Sequence, residues 1–284
     1  MGVLLSGGLA TVPAHAGSEV SDVHGTARVL DVTADNTADG SSDTYRLGTD
    51  RLRAGLVDVR LHNAGTVDHQ VQLVRLHDGV TADAYRRALI ASQGGAALQL
   101  GDAMGGSNAI APGGFQETWV DLPAGSYVAM CFLDGGGGVP HFVKGMLAAF
   151  TVVGQGNSAH PPGHVLATIS AFSFGFQMPA VVDGHGLYRF TNTAPSDTHE
   201  LTLIKLVPGA TADQAKAWIE NPSGPPPFAE SAGGAGALAP GGEAWLAMNL
   251  TPGSYVAVCF VPDDEPPHAP HAALGMVQGF TVSG

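Results

Sequence analysis

Tyr127-Val128-Ala129-Met130-Cys131, and after it Pro140-His141-Phe142-Val143-Lys144-Gly145-Met146, is a phrase the chain repeats. The second copy reads Tyr255-Val256-Ala257-Val258-Cys259, then Pro270-His271-Ala272-Ala273-Leu274-Gly275-Met276. Upstream, each copy carries one more histidine on an apolar run: His69-Gln-Val-Gln-Leu-Val-Arg-Leu and His199-Glu-Leu-Thr-Leu-Ile-Lys-Leu. The offset between copies is 130 at His69/His199, 128 at Cys131/Cys259, and 130 again at His141/His271 and Met146/Met276. Register therefore shifts in two places only, and both fall in Gly/Pro-rich segments, where connecting loops absorb length changes.

A self-similar period of about half of 284 residues implies two like domains rather than one large one. Apolar residues make up 44% and charged residues 13%, enough for real cores. Forty glycines and 19 prolines punctuate short apolar runs, which favours strands and turns over helical bundles. The net charge of −13 argues against a nucleic-acid partner, because phosphate backbones are bound by clustered Lys and Arg, and it disfavours anionic membrane surfaces. No stretch reaches the length of an apolar membrane span, so no membrane insertion is expected.

Within each copy the strand signals alternate with period two. His69, Val71 and Leu73 share a face, as do His199, Leu201 and Leu203; on the later strand Tyr127, Ala129 and Cys131 share one, as do Tyr255, Ala257 and Cys259. A His and a Cys at the inner edge of adjacent strands converge at one end of a sandwich, and the following loop brings His141 and Met146 over them. Between these strands, Thr81 onward and Thr211 onward read as short amphipathic helices; Thr211 and Gln214 fit a capping box, and Ala215, Trp218 and Ile219 share a face. The segments Gly94–Gly114 and Pro222–Gly242 read as low-complexity loops. The expected fold is all-β: two tandem Greek-key β-sandwiches, each with a short inserted helix, over residues 17–153 and 165–284, joined by a linker at 154–164.

Residues 3–16, Val-Leu-Leu-Ser-Gly-Gly-Leu-Ala-Thr-Val-Pro-Ala-His-Ala, resemble the apolar core and small-x-small cleavage site of an export signal lacking its basic start. The alternative is an ordinary free chain end. A secreted or extracytoplasmic location follows from the first reading. There, two unpaired cysteines are a liability unless oxidised or ligated. A disulfide needs two equivalent strand ends from separate domains to meet within about 7 Å, so ligation explains the placement more simply.

The pattern Tyr-x-x-x-Cys, loop, Pro-His-x-x-x-Gly-Met, then Phe-Thr-Val resembles the ending of the cupredoxin (blue-copper) family, at residues 140–152 and again at 270–282. The resemblance covers roughly residues 27–153 and 165–282. It implies one copper per domain, held by His69, Cys131, His141 and Met146 in the first and by His199, Cys259, His271 and Met276 in the second. A soft thiolate and thioether with two imidazoles suit both copper oxidation states, although zinc can enter the same donors. The family resemblance also implies single-electron transfer with a redox partner protein. The chain departs from the family's usual pattern at Gln70 and Glu200, where members carry Asn, and in long Cys-to-His loops of nine and eleven residues.

No His precedes either Cys directly and no His-x-His occurs, so the motifs of a second, catalytic copper centre are missing. Taken singly, a buried Cys is ordinarily packing, an inward His a hydrogen-bonded core group, and a Met a gap-filler. The joint recurrence of all four favours metal. A second expectation is a metal-free or copper-storing extracellular binding module, motivated by the long ligand loops; His268 is an alternative ligand in the longer one.

Overall fold

Each half begins with a parallel pair of strands, and that pairing sets the layers. The computed structural model describes residues 28–36, 42–91, 96–156 and 160–283; the export signal expected over 1–16 lies outside them, as does part of the expected linker. The first half contains β1 (Val29–Asn36), β2 (Asp43–Leu47), β3 (Arg51–Arg53), β4 (Gly55–Asn63), β5 (Gln72–Leu76), α1 (Ala82–Ala91), β6 (Gly101–Ala103), β7 (Phe115–Leu122), β8 (Gly125–Met130), α2 (His141–Lys144) and β9 (Leu147–Val153). The second half repeats this as β10 (Val165–Phe172), β11 (Gly175–Gln177), β12 (Val181–Asp183), β13 (His185–Asn192), β14 (His199–Leu206), α3 (Ala212–Glu220), β15 (Phe228–Leu238), β16 (Glu243–Asn249), β17 (Gly253–Val258), a 3-10 turn at His271–Leu274, and β18 (Val277–Ser283).

β1 runs parallel to β4 and β3 to β9 in the first half, β10 to β13 and β12 to β18 in the second, while the other strand pairs are antiparallel. Strands β3-β9-β8-β5-β6 form the second layer of the first half, and β12-β18-β17-β14-β15 that of the second. The chain crosses between layers at five of the eight strand connections in each half and stays within a layer at β1–β2, β5–β6 and β8–β9 and their counterparts β10–β11, β14–β15 and β17–β18. Alternation explains the core: in β4 every second residue, Val57, Val59 and Leu61, is fully buried, and Leu30 and Val32 of β1 lie beside Val59 and Leu61 on the same buried face of the sheet.

The first layers of the two halves are one sheet of order β11-β10-β13-β16-β7-β4-β1-β2. The seam is the antiparallel β7–β16 pair, where Trp119 stands opposite Trp245. A second seam lies where the sequence suggested loops. Segment 103–110 and β15 lie side by side: Gly105 N–H donates to Ala237 O, Gly236 N–H to Gly106 O, and Gly233 N–H to Ala109 O, each at 2.8 Å. Buried Gln72 clamps Ala237 from both sides, Nε2 donating to its carbonyl (3.0 Å) and Oε1 accepting from its N–H (2.6 Å). Alanine and glycine leave the two backbones free to meet, so low side-chain volume, not flexibility, is the reason for that composition.

The expected helices are present. Thr211 Oγ1 accepts from Gln214 N–H and Gln214 Oε1 accepts from Thr211 N–H, the reciprocal cap anticipated from the sequence. Thr211→Ala is expected to lower unfolding free energy by about 1 kcal/mol in chemical denaturation, with no change in the sheet signal by circular dichroism. An unchanged midpoint would show that the cap contributes nothing in this setting.

Candidate metal centre

The cysteine, both histidines and the methionine of each half meet at one end of its sandwich. His69 lies just before β5, in a two-way backbone bridge with Ile110, and His199 is the first residue of β14. Cys131 and Cys259 follow β8 and β17 by one residue, whereas the sequence pattern carries those strands through the cysteines to Phe132 and Val261. His141 and His271 open short helical turns behind Pro140 and Pro270, turns that the sequence pattern did not reveal. Each turn is fixed by the backbone, since Met146 N–H donates to His141 O and Cys131 N–H to Met146 O; Met276 N–H donates to His271 O and Cys259 N–H to Met276 O. All eight side chains are at most 2% exposed.

In the first half His69 Nδ1 and His141 Nδ1 are 3.1 Å apart, and Cys131 Sγ is 3.4 Å from His141 Nδ1. In the second, His199 Nδ1 and His271 Nδ1 are 3.0 Å apart, with Cys259 Sγ at 3.8 and 3.5 Å from them. Within each trio every donor atom lies within 4.8 Å of the others. Both cysteines are free thiols, so the disulfide alternative is not realised. His268 is exposed and its Nδ1 pairs with the Asp263 carbonyl at 2.9 Å, which leaves it outside the trio.

These separations suit a shared ion. Imidazole nitrogens about 2.0 Å and a thiolate about 2.3 Å from one centre stand roughly 3 to 4 Å from each other. The tautomer agrees in the first half: His69 Nε2 faces Asn36 Oδ1 at 3.3 Å, an acceptor, so the proton sits on Nε2 and Nδ1 presents a bare lone pair inward. Two inward lone pairs at 3.1 Å repel unless a proton or a cation lies between them.

Burial, and then the charge of its partner histidine, holds His69 and His199 each at about 4, well below the usual imidazole value; burial likewise lowers His141 and His271. The four rings are thus neutral near pH 7 and ready to ligate. Burial also pushes the Cys131 thiol up to about 12 and raises Cys259, so without a cation both remain protonated. Because folded His69 and His199 bind fewer protons than the unfolded chain, folding stability rises with pH between about 4 and 6.5. The melting temperature of metal-free protein is therefore expected to be level between pH 6.5 and about 8, where the unfolded thiols begin to ionise, and to fall as pH drops from 6.5 toward 4; a flat profile across that lower window contradicts the assignment.

The sulfurs are also embedded in hydrogen bonds. Cys131 accepts from the backbone N–H groups of Gln70 and Leu133, and Cys259 from those of Glu200 and Val261. Glu200, one of the sequence departures, has a structural use: its Oε1 accepts from Phe260 N–H at 3.0 Å, tying the His199 strand to the Cys259 segment. Asn63 and Asn192 fasten the approach to each histidine strand, donating to the carbonyls of Val67 and Ile110 and of Asp197 and Leu238. Both asparagines end equivalent strands in the two copies, a signal present in the sequence but overlooked. Asn36, Asp43 and Tyr45, all near the first centre, belong to no repeated motif.

Two facing sheets with parallel opening strands, and His, Cys, His and Met gathered at one end, decide the architecture. Each half has a cupredoxin-like fold. No family model matches the chain, and neither does any curated protein. Among solved structures, the cupredoxin-like halves are similar to dithionite-reduced auracyanin from Roseiflexus castenholzii, at 21% identity over 42% of this chain and 96% of that one, TM-score 0.28. The whole chain is similar to a multicopper oxidase, at 18% identity over 91% of this chain and 90% of that one, TM-score 0.28. It is also similar to copper nitrite reductase from Nitrosomonas europaea, at 11% identity over 90% and 94% of the two chains, TM-score 0.25.

Proposed function

We propose that the protein binds copper, one ion in each cupredoxin-like half, in type 1 (blue) sites, and exchanges single electrons with a redox partner protein outside the cytoplasm. The observation that carries this reading is the pair of buried His/Cys/His trios whose donor atoms all lie within 4.8 Å of one another. His69, Cys131 and His141 would hold one ion and His199, Cys259 and His271 the other, with Met146 and Met276 as weak axial ligands. Copper supplies one-electron exchange between two oxidation states that this mixed soft and imidazole set suits.

The chain's own residues do the rest. The bridge between His69 and Ile110 and the bonds between Cys131, Met146 and His141 fix the donors on rigid backbone, so the set does not need to rearrange as charge changes. The N–H groups on each sulfur stabilise the thiolate that forms when the cation displaces the thiol proton. Burial keeps water from the site. Electrons have a short way in: Val139 and Val143 flank His141 in the chain and are 43% and 38% exposed, and Leu274 beside His271 is 43% exposed, an apolar rim suited to a transient protein partner.

Titrating metal-free protein with Cu(II) is expected to produce the intense visible absorption of a thiolate-to-copper transition and to raise the melting temperature, because a ligand that binds only the native state stabilises it. Saturation that leaves the solution colourless and the melting temperature unchanged contradicts the proposal and favours the metal-free binding module.

A further inference from the structure

Between the two halves lies a cavity of about 940 Å³, within the range of small-molecule sites. The histidine strands line it with the faces turned away from the sandwich cores, through Gln72 and Val74 of β5 and Thr202 and Ile204 of β14. Phe132 and Phe260, the residues after the two cysteines, add an aromatic side chain from each half. The charged lining has one sign. Asp68 and Asp134 of the first half and Asp197 and Asp264 of the second stand on it, and it contains no Lys or Arg. None of the four carboxylates is in an ion pair among the described residues. Ser231 Oγ donates to Asp68, and Gly136 and Gly138 N–H to Asp134, whereas the side chains of Asp197 and Asp264 hold no hydrogen bond among the described residues.

Two polar groups are buried on this lining without a partner. Gln70 is 5% exposed; its backbone carbonyl accepts from Tyr45, but its side-chain amide makes no hydrogen bond to a described residue. Tyr85 is fully buried, and its hydroxyl is equally unpartnered. At the place equivalent to Gln70, Glu200 uses its carboxylate on Phe260 N–H, the Thr202 hydroxyl and the Asn108 amide. The fold therefore does not demand an idle side chain there. Leaving a buried polar group unpaired is costly, and an unmet amide on a cavity wall marks a place for a ligand.

We propose that this cavity binds a small organic cation, a primary ammonium on an apolar body, with the ammonium donating to Gln70 Oε1 among the carboxylates and the body lying against Phe132 and Phe260. An anion would meet four carboxylates and no cation, and a bare metal ion would leave the apolar walls unused. Aromatic faces also favour a cation over a neutral molecule of the same shape. The site does not depend on the copper reading, since none of the groups it uses is a candidate metal ligand.

The test is calorimetric titration of the full chain, stripped of metal so that no amine can bind copper, with three probes of similar size: 2-phenylethylammonium, 2-phenylethanol and 3-phenylpropionate. One saturable site per chain is expected for the ammonium, about tenfold tighter than for the alcohol, with no binding of the carboxylate. Gln70→Leu is expected to weaken the ammonium about fivefold while the melting temperature of the free protein stays level or rises, because the amide it removes has no partner. Asp197→Asn combined with Asp264→Asn is expected to weaken it about fivefold as well, an effect that fades as salt is raised. Should Gln70→Leu fail to fold, the aspartate pair decides. Equal binding of the three probes, no binding of any, or ammonium binding that neither set of substitutions weakens overturns this inference and leaves the copper reading intact.

Discussion

Cys131→Ala and Cys259→Ala are each expected to lower bound copper from about two equivalents per chain to about one, and the double variant to abolish both the visible band and tight copper binding. The size of the effect follows from the chemistry of the trios. Without the thiolate, each site keeps two neutral imidazoles and a methionine, which present no negative charge to offset a dication in a buried place. Each cysteine serves its own half, so the losses should add. The substitution removes only a small buried side chain, and the metal-free variants should fold with a change in stability of about 1 kcal/mol. Metal analysis after desalting reads the result directly. Single variants that retain about two coppers would show that the metal sits elsewhere.

Gly234→Ala is expected to have the largest effect on stability. Gly234 has φ of +126°, and a Cβ added there would meet Leu201 O at 1.9 Å; Gly106, its counterpart in the first half, has φ of +122° and would meet Val71 O at 2.1 Å. The clash is with backbone, which cannot rotate away, and it adds to a conformation that side chains rarely adopt. A cost of about 3 kcal/mol or more follows, roughly 6–12 °C in melting temperature for a chain of this size. Gly209 is the natural control: its φ is +85° but nothing lies within 4 Å of an added Cβ, so Gly209→Ala should cost only about 1 kcal/mol. Leu201 stands two residues after His199, and relieving the clash displaces the strand that carries a ligand. Gly234→Ala should therefore weaken copper uptake in the second half more than in the first. Equal melting temperatures for the two glycine variants would contradict this account of the seam.

The centres were legible in the sequence because metal-type donors are rare, chemically distinctive and doubled at near-constant spacing. Alternation then placed His69 and Cys131 at one end of facing strands, where the structure brings their donor atoms together with His141. The layered sandwiches followed from turn-punctuated apolar runs, and the α3 cap from Thr211 and Gln214. What could not be read lies where pattern and structure part. Residues 231–238, Ser-Ala-Gly-Gly-Ala-Gly-Ala-Leu, lack the β-branched and aromatic residues of ordinary strands, yet they form β15 because small side chains let two backbones from different halves pair. That pairing also buries the second face of the histidine strands: Gln70, Gln72, Glu200 and Thr202 alternate with the core row and are nevertheless less than 9% exposed. A one-face alternation gave no hint of it. Tyr45, Asp43 and Asn36 escaped notice for the opposite reason, since they sit on an edge hairpin whose counterpart in the second half carries different chemistry, and a search for repeats passes over such positions.

X-ray absorption at the copper edge of the fully loaded chain tests the central claim most directly. The account predicts, as the average over both halves, about one short sulfur and two imidazole nitrogens around each copper. A first shell of nitrogen and oxygen with no sulfur would contradict it.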